Sequence, residues 1–272
     1  MDTKSLLAFT LLACSLPNSP GSIAQSMKSR LEITPFITPL SYSWKEFDDN
    51  GMEALHESGL IVSGGASARY RFMEDLRWFG AVSGEYYSGT VDYNGFVFDE
   101  QGNRTPYSTK TGYTGFELTA SSGYEVAFAG GFSLSPSVGL ALEKWKRSLD
   151  NGGPSGYDEL YTVSLAQIAL DASYRIQPRI EIFSNLSLKF PLSITESVDL
   201  SRTGAGPSDL TFTPGSNPRY FVSAGTWIYG ASAEFFYEGW TLDKSPEDRG
   251  YLQPQSSRAH LGVRVGYTFT VL

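Results

Sequence analysis

The sequence predicts an all-β fold: a single ten-stranded antiparallel up-and-down barrel that crosses a membrane. Apolar and polar residues alternate along about ten segments, and the connections between them alternate short and long. The chain is also rich in glycine and aromatics and poor in charge, with 28 Gly, 16 Tyr and 17 Phe among 272 residues and only 18% charged. An average soluble domain carries roughly 25% charge. Mean hydropathy is −0.20, so the apolar residues are not gathered into the runs of about 20 that helical spans need. One cysteine cannot pair within the chain. A net charge of −8 argues against nucleic-acid binding, which needs clustered lysine and arginine.

Residues 1–24 read as a secretory signal. Lys4 supplies the positive region, Ser5–Leu16 the apolar stretch, and Ser22-Ile23-Ala24 the small-x-small pattern before a cut. The rival reading is a lipobox at Leu11-Leu12-Ala13-Cys14, with Cys14 lipidated instead of cleavage after Ala24. Residues 25–272 form the barrel on either reading.

Successive strand side chains point to opposite faces, so period-two alternation marks one apolar and one polar face. The first strand, about Leu31–Glu46, is interrupted by Pro35 and Pro39, and Tyr42 and Trp44 take the opposite phase from Ile33 and Ile37. In the second, Leu60, Val62, Tyr70 and Phe72 oppose Ser63, Arg69 and Arg71. Trp78, Val82 and Tyr86 then oppose Arg77 and Glu85, and Phe116, Leu118 and Val126 oppose Glu117 and Glu125. Phe132, Val138, Leu140 and Leu142 oppose Glu143 and Arg147. Ile168, Leu170 and Tyr174 oppose Asp171 and Arg175, after a slip near Ala166–Gln167 that suggests a bulge. The clearest case is Ile180–Thr195, where Ile180, Ile182, Leu186, Leu188, Phe190, Leu192 and Ile194 oppose Glu181 and Lys189. Tyr220 and Val222 oppose Arg219, Phe235 and Tyr237 oppose Glu234 and Glu238, and Leu261, Val263 and Val265 oppose His260 and Arg264.

Short connections fall near Met73–Asp75, Ala129–Gly131, Gln177–Pro178 and Tyr229–Gly230. Long ones fall near Phe47–Ser58, Ser88–Thr109, Ser148–Tyr157, Ser197–Pro218 and Asp243–Gln255. An even strand count with this rhythm is the pattern of outer-membrane barrels, with short turns and both termini in the periplasm. A lipocalin-like barrel or a sandwich shows the same alternation with the apolar face inward. Three features favour the membrane. The strands run about 15 residues, longer than the usual 5–6. Tyr42, Trp44, Tyr86, Tyr87, Trp145, Tyr237 and Trp240 gather at loop-proximal ends, as an aromatic girdle would. The last strand, Gly262–Phe269, resembles the C-terminal assembly signal of outer-membrane proteins.

With the apolar face on lipid, the lumen holds Glu85, Glu117, Glu125, Glu143, Asp171, Glu181, Glu234 and Glu238, with Glu32, against Arg69, Arg71, Arg77, Arg147, Arg175, Lys189, Arg219 and Arg264. A ten-strand barrel is narrow, and unpaired buried charge costs several kcal/mol, so the expected lumen is a plugged, salt-bridged network. A narrow selective pore is the alternative. The acid surplus then falls in the long loops: Asp48, Asp49, Glu53 and Glu57 in the first, Asp150, Asp158 and Glu159 in the third, and Asp243, Glu247 and Asp248 in the fifth. It serves solubility, or divalent-cation bridging to lipid headgroups.

Two histidines leave little room for catalysis. His260 begins the last strand as a rim residue, and His56 sits in the acidic first loop. No Gly-x-Ser-x-Gly, His-Glu-x-x-His or phosphate loop is present, so no cofactor, metal or catalytic residue is expected. Over its mature length the chain resembles bacterial outer-membrane β-barrels, and its strand count resembles the omptin-type adhesin/protease superfamily. Omptins cut between basic residues with an aspartate pair opposite an Asp-His pair at the outer rim. This sequence has no Asp-x-Asp and no Asp-x-His, so the resemblance carries architecture and no catalytic residues. Gly84–Gly95 is similar to a segment of outer-membrane proteins without assigned activity, and Asp92 and Asn94-Gly95 in it suit a turn at a strand top. The resemblance implies outer-membrane lipid, lipopolysaccharide and, through the last strand, the barrel-assembly machinery as partners. The expected function is non-enzymatic: a structural, adhesin or surface-binding barrel. The alternatives are a small porin and an omptin-like rim hydrolase.

Overall fold

The computed structural model describes residues 30–72, 77–98, 104–149, 156–201, 207 and 209–271. The signal segment 1–24, with Cys14, and Asp150 of the third loop lie outside the described residues. Ten long strands build the wall: β1 (Arg30–Phe47), β2 (Glu53–Arg71), β3 (Trp78–Phe98), β4 (Arg104–Tyr124), β5 (Phe132–Leu149), β6 (Tyr157–Gln177), β7 (Ile180–Asp199), β8 (Arg219–Ile228), β9 (Ala231–Leu242) and β10 (Gln255–Tyr267). Each pairs antiparallel with the next, and β10 returns to β1 through Phe36↔Gly266 and Trp44↔Arg258, closing the barrel. A short segment, Phe269–Val271, extends that closure against Leu31–Ile33. Closure removes the unpaired edges that lipid cannot satisfy.

The strands are longer than the alternation alone suggests. β3 and β4 run 21 residues each and pair as far as Phe98↔Arg104, so most of the predicted loop Ser88–Thr109 is hairpin wall. Asn94-Gly95 is therefore not a turn. It lies inside β3, where the Ser108 hydroxyl donates to Asn94 Oδ1 at 2.9 Å. The predicted first loop likewise shrinks, because β2 begins at Glu53. β8 and β9 have only 10 and 12 residues, so the wall is lower on that side. At the end that carries the termini, the β8–β9 turn has positive φ at both Tyr229 (55°) and Gly230 (90°). That is the hairpin geometry whose twist matches the flanking strands.

The outward face is apolar. Leu60, Leu118, Leu140, Leu186, Phe235 and Leu261 are all exposed, which in water would be an aggregation surface and in lipid is a solvated belt. Above the belt, toward the long loops, the outward positions become Lys45, His56, Lys144, Lys146 and Asp158, all partly or fully exposed. The aromatic girdle departs from expectation. Tyr42, Trp44, Tyr87, Trp145 and Trp240 are buried inside the barrel, and of the seven named only Tyr86 and Tyr237 face outward. The outward aromatics cluster at the opposite end, where Tyr70, Phe72, Trp78, Phe132, Tyr174, Tyr229 and Tyr267 are exposed. β1 keeps one phase throughout, with Thr38, Leu40, Tyr42 and Trp44 inward and Ile33 and Ile37 outward.

The bulge lies on the neighbouring strand rather than at Ala166–Gln167. Ser164 pairs with Ser193 and Leu165 with Pro191, leaving Leu192 on β7 unpaired. The extra residue reverses the phase of β7 above it, so Ile194, expected on the lipid face, is buried in the lumen together with Glu196.

Candidate functional site

Inward side chains are graded by size along the axis. Toward the termini the inward positions are small, including Ser67, Ser83, Ser121, Ser133, Ser135 and Ser173. Toward the long loops they are large, including Tyr42, Trp44, Tyr87, Trp145, Tyr161 and Trp240. The small residues leave a cavity of about 880 Å³ at the short-turn end, which stops below Tyr42, Tyr87 and Glu143. The large ones fill the rest in two layers.

The outer layer centres on Arg147 of β5, which is 1% exposed. Its Nη1 donates to Glu46 Oε1 and Glu159 Oε2, both at 2.8 Å, and its Nη2 to Glu57 Oε1 at 2.9 Å. Glu57 also accepts from the hydroxyls of Thr111, at 2.8 Å, and Tyr113. Trp44 Nε1 donates to Glu46 at 2.9 Å and Tyr161 to Glu159 at 3.1 Å. Trp145 stacks on Tyr161, with ring centroids 4.4 Å apart and planes within 4°, and meets Trp240 edge-on at 6.1 Å.

Arg258 joins this layer to the next. Its guanidinium lies over Trp145 at 4.6 Å and Trp240 at 5.2 Å, while Nη2 donates to Glu143 Oε2 at 2.9 Å. The middle layer is balanced, three carboxylates against Arg219, Arg258 and Lys189. Arg219 reaches Glu143, Glu117 at 2.9 Å and Glu238 at 3.3 Å, and Lys189 pairs with Glu117 and, at 3.6 Å, with Glu238. Tyr87 OH donates to Glu143 at 2.9 Å. Gly115 permits this, because a Cβ there would fall 2.6 Å from the Tyr87 ring and 2.7 Å from the Lys144 carbonyl. Gly115→Ala is expected to displace Tyr87, break its bond to Glu143 and cost about 1–3 kcal/mol by overpacking. Urea unfolding in detergent micelles measures it, with Gly64→Ala as the control, since a Cβ there meets only the Phe36 carbonyl oxygen at 3.7 Å, an ordinary contact.

Below lie smaller pairs: Arg264 with Glu85 at 3.1 Å and Glu234 at 3.3 Å, Arg71 with Glu32 at 3.1 Å and Glu125 at 3.3 Å, and Arg175 with Glu181 at 3.7 Å. Satisfied ion pairs are the condition under which buried charge is tolerated.

The closed antiparallel barrel agrees with a solved structure. The outer membrane protease OmpT from Escherichia coli superposes with a TM-score of 0.63 at 10% identity, covering 92% of this chain and 99% of that one. This is the fold of an outer-membrane barrel. The translocator domain of the autotransporter NalP from Neisseria meningitidis matches at a TM-score of 0.47 and 13% identity over 91% of this chain and 90% of that one. OprG from Pseudomonas aeruginosa matches at 0.43 and 8% over 89% and 95%. No protein-family profile matches the chain, and no curated protein matches it significantly.

Of the seventeen charges expected in the lumen, Glu117, Glu143, Lys189, Arg219 and Glu238 meet in the middle layer and Arg147 anchors the outer one. Glu32, Arg71, Glu85, Glu125, Asp171, Arg175, Glu181, Glu234, Arg264 and Arg69 line the cavity. Arg77 does not belong with them: it is exposed at the β2–β3 turn with φ of 51°, because β3 starts one residue later. His260 is no rim residue either. It sits half-buried in the middle layer, with Nδ1 3.6 Å from Glu238 and its ring against Tyr42. Glu57 and Glu159, assigned to loops, are lumen residues of the outer layer, and Glu46, Arg258 and Glu196 join them inside. The outer layer is therefore acid-rich rather than neutral.

At the long-loop rim much of the acid is paired. Asp48 meets Arg104 at 3.6 Å, Asp49 meets Lys244 at 2.7 Å and Glu53 meets Lys45 at 2.7 Å. The backbone N–H groups of Met52 and Asn50 donate to Asp48 and hold its carboxyl below the usual range.

Proposed function

We propose that this protein is a non-enzymatic outer-membrane barrel with a sealed lumen, acting at its long-loop rim as a structural or surface-binding element. The observation that carries this reading is the pair of stacked layers, Arg147 with three carboxylates above and Glu143 with Arg219 and Arg258 below. A conducting pore needs a continuous aqueous path, and the aromatic and ion-paired side chains fill it. In this reading the short turns and both termini are periplasmic and the long loops face outside. The outward belt takes lipid and lipopolysaccharide, and β10 with Phe269–Val271 is the segment offered to the barrel-assembly machinery.

The histidines support a non-enzymatic reading. His56 points outward, 3.3 Å from Ser43 Oγ and 3.9 Å from Glu53, and His260 is half-buried below the outer layer. Neither faces an aspartate across the rim among the described residues. Purified protein in planar bilayers is expected to give no discrete conductance steps and to cleave neither peptides nor lipids. Stepwise conductance would replace this reading with a small porin. Hydrolysis lost on His56→Ala would replace it with a rim hydrolase.

A further inference from the structure

Among the described residues that line the cavity at the short-turn end, two strand charges stay outside the ion-pair network, while Arg179 sits exposed at a turn over Tyr229. Arg69 of β2 lies flat over the Phe79 ring, its guanidinium carbon 3.6 Å from the centroid. Its Nε and Nη2 are buried without a hydrogen-bond partner among the described residues, and no described carboxylate lies within 4.0 Å of it. Asp171 of β6 accepts from the Asn185 amide, and among the described residues no cation lies within 4.0 Å of it. The charged strand residues around them are matched: Glu32 and Glu125 with Arg71, Glu85 and Glu234 with Arg264, and Glu181 with Arg175. Asp171 is the carboxylate whose field acts most strongly on Arg69, yet the two stay apart. Three strands separate β2 from β6 in the wall, so the space between them is lumen.

A guanidinium and a carboxylate held apart in one cavity form a bipolar clamp. The planar fork of arginine matches a carboxylate in two parallel hydrogen bonds, and an ionised carboxylate accepts from an ammonium. We propose that this cavity binds a small zwitterion, an amino acid or short peptide with free ends, its carboxylate on Arg69 and its ammonium on Asp171. The hydroxyls of Ser67, Ser83, Ser135 and Ser173 line the same wall and supply donors and acceptors for a peptide backbone. The volume of about 880 Å³ lies within the usual range of small-molecule sites, roughly 300–1,000 Å³. Entry is from the end that carries the termini, so the ligand does not pass the two layers above.

The probe is triglycine, titrated calorimetrically into the folded full-length barrel in detergent micelles. Saturable binding is expected, weakened about tenfold or more by Arg69→Gln and by Asp171→Asn, as loss of a charge-assisted hydrogen bond implies. N-acetyl-triglycine is expected to bind as weakly to the wild type as triglycine does to Asp171→Asn, and to be insensitive to that substitution. Triglycine amide is expected to behave in the same way toward Arg69→Gln. Heat-modifiable gel migration shows that each variant is folded. Absence of saturable triglycine binding to the wild type would overturn the proposal. So would equal affinity in the folded variants, or acetate binding as tightly as triglycine, which would make the site a simple anion pocket. The outcome is separable from the sealed-lumen reading, which is decided by conductance.

Discussion

Arg147→Ala is expected to destabilise the barrel by about 3–5 kcal/mol, the penalty for removing one partner of a buried ion pair. The reason is an asymmetry in the outer layer. One guanidinium serves Glu46, Glu57 and Glu159, whose side chains are 13%, 0% and 5% exposed. Deleting it leaves three carboxylates facing one another in a space that water barely reaches, with Glu196 buried nearby. Glu159→Gln should cost much less, because Arg147 keeps Glu46 and Glu57 and the amide still accepts from Tyr161. Arg147→Lys should fall between the two, since a single ammonium cannot reproduce a planar fork that reaches three carboxylates. Urea unfolding in detergent micelles, followed by tryptophan fluorescence, measures all three. A change under about 1 kcal/mol for Arg147→Ala, the range of exposed salt bridges, would show that the outer layer is wet and its charges individually solvated.

The alternation carries the barrel and its strand number, because a period of two is a direct geometric consequence of the strand; which face meets lipid rests instead on strand length and on the last strand. Position along the axis was less legible. Trp145 has the same parity as Glu143 and Arg147, and Tyr87 the same as Glu85, so both were marked as inward. Reading them as a lipid-facing girdle gave weight to their nearness to loops over their phase. Glu57 and Glu159 read as loop residues because the apolar alternation stops before them. Above the membrane the outward positions carry Lys45, His56 and Lys146, so the alternation fades although the ladder continues. Arg258 was missed for the same reason, lying two residues before the assigned start of the last strand. Glu196 was hidden by the bulge at Leu192, which no propensity marks and which reverses the phase of everything above it. The unmatched Arg69 and Asp171 were both assigned to the lumen. Only side-chain geometry could show that neither has an ion-pair partner among the described residues.

The seal can be separated into its parts. A barrel carrying Trp145→Ala, Tyr161→Ala and Trp240→Ala together is expected to conduct where the wild type is silent. Trp145 and Tyr161 form one stacked slab, and Trp240 closes against it edge-on. The same two tryptophans cover Arg258 from above, so their loss frees the guanidinium that links the layers as well as the volume of three rings. The path so opened runs past Glu46, Glu57, Glu159 and Glu196, the first three of them paired with Arg147. A ring of carboxylates favours cations in a narrow pore, so the reversal potential in a salt gradient should lie on the cation side. Trp145→Ala alone should stay closed or flicker, because Tyr161 and Trp240 can lean into the space it leaves. A silent triple variant that still shows heat-modifiable migration would place the whole seal in the middle layer, on Glu143, Arg219 and Arg258. The outer aromatics would then serve stability rather than closure.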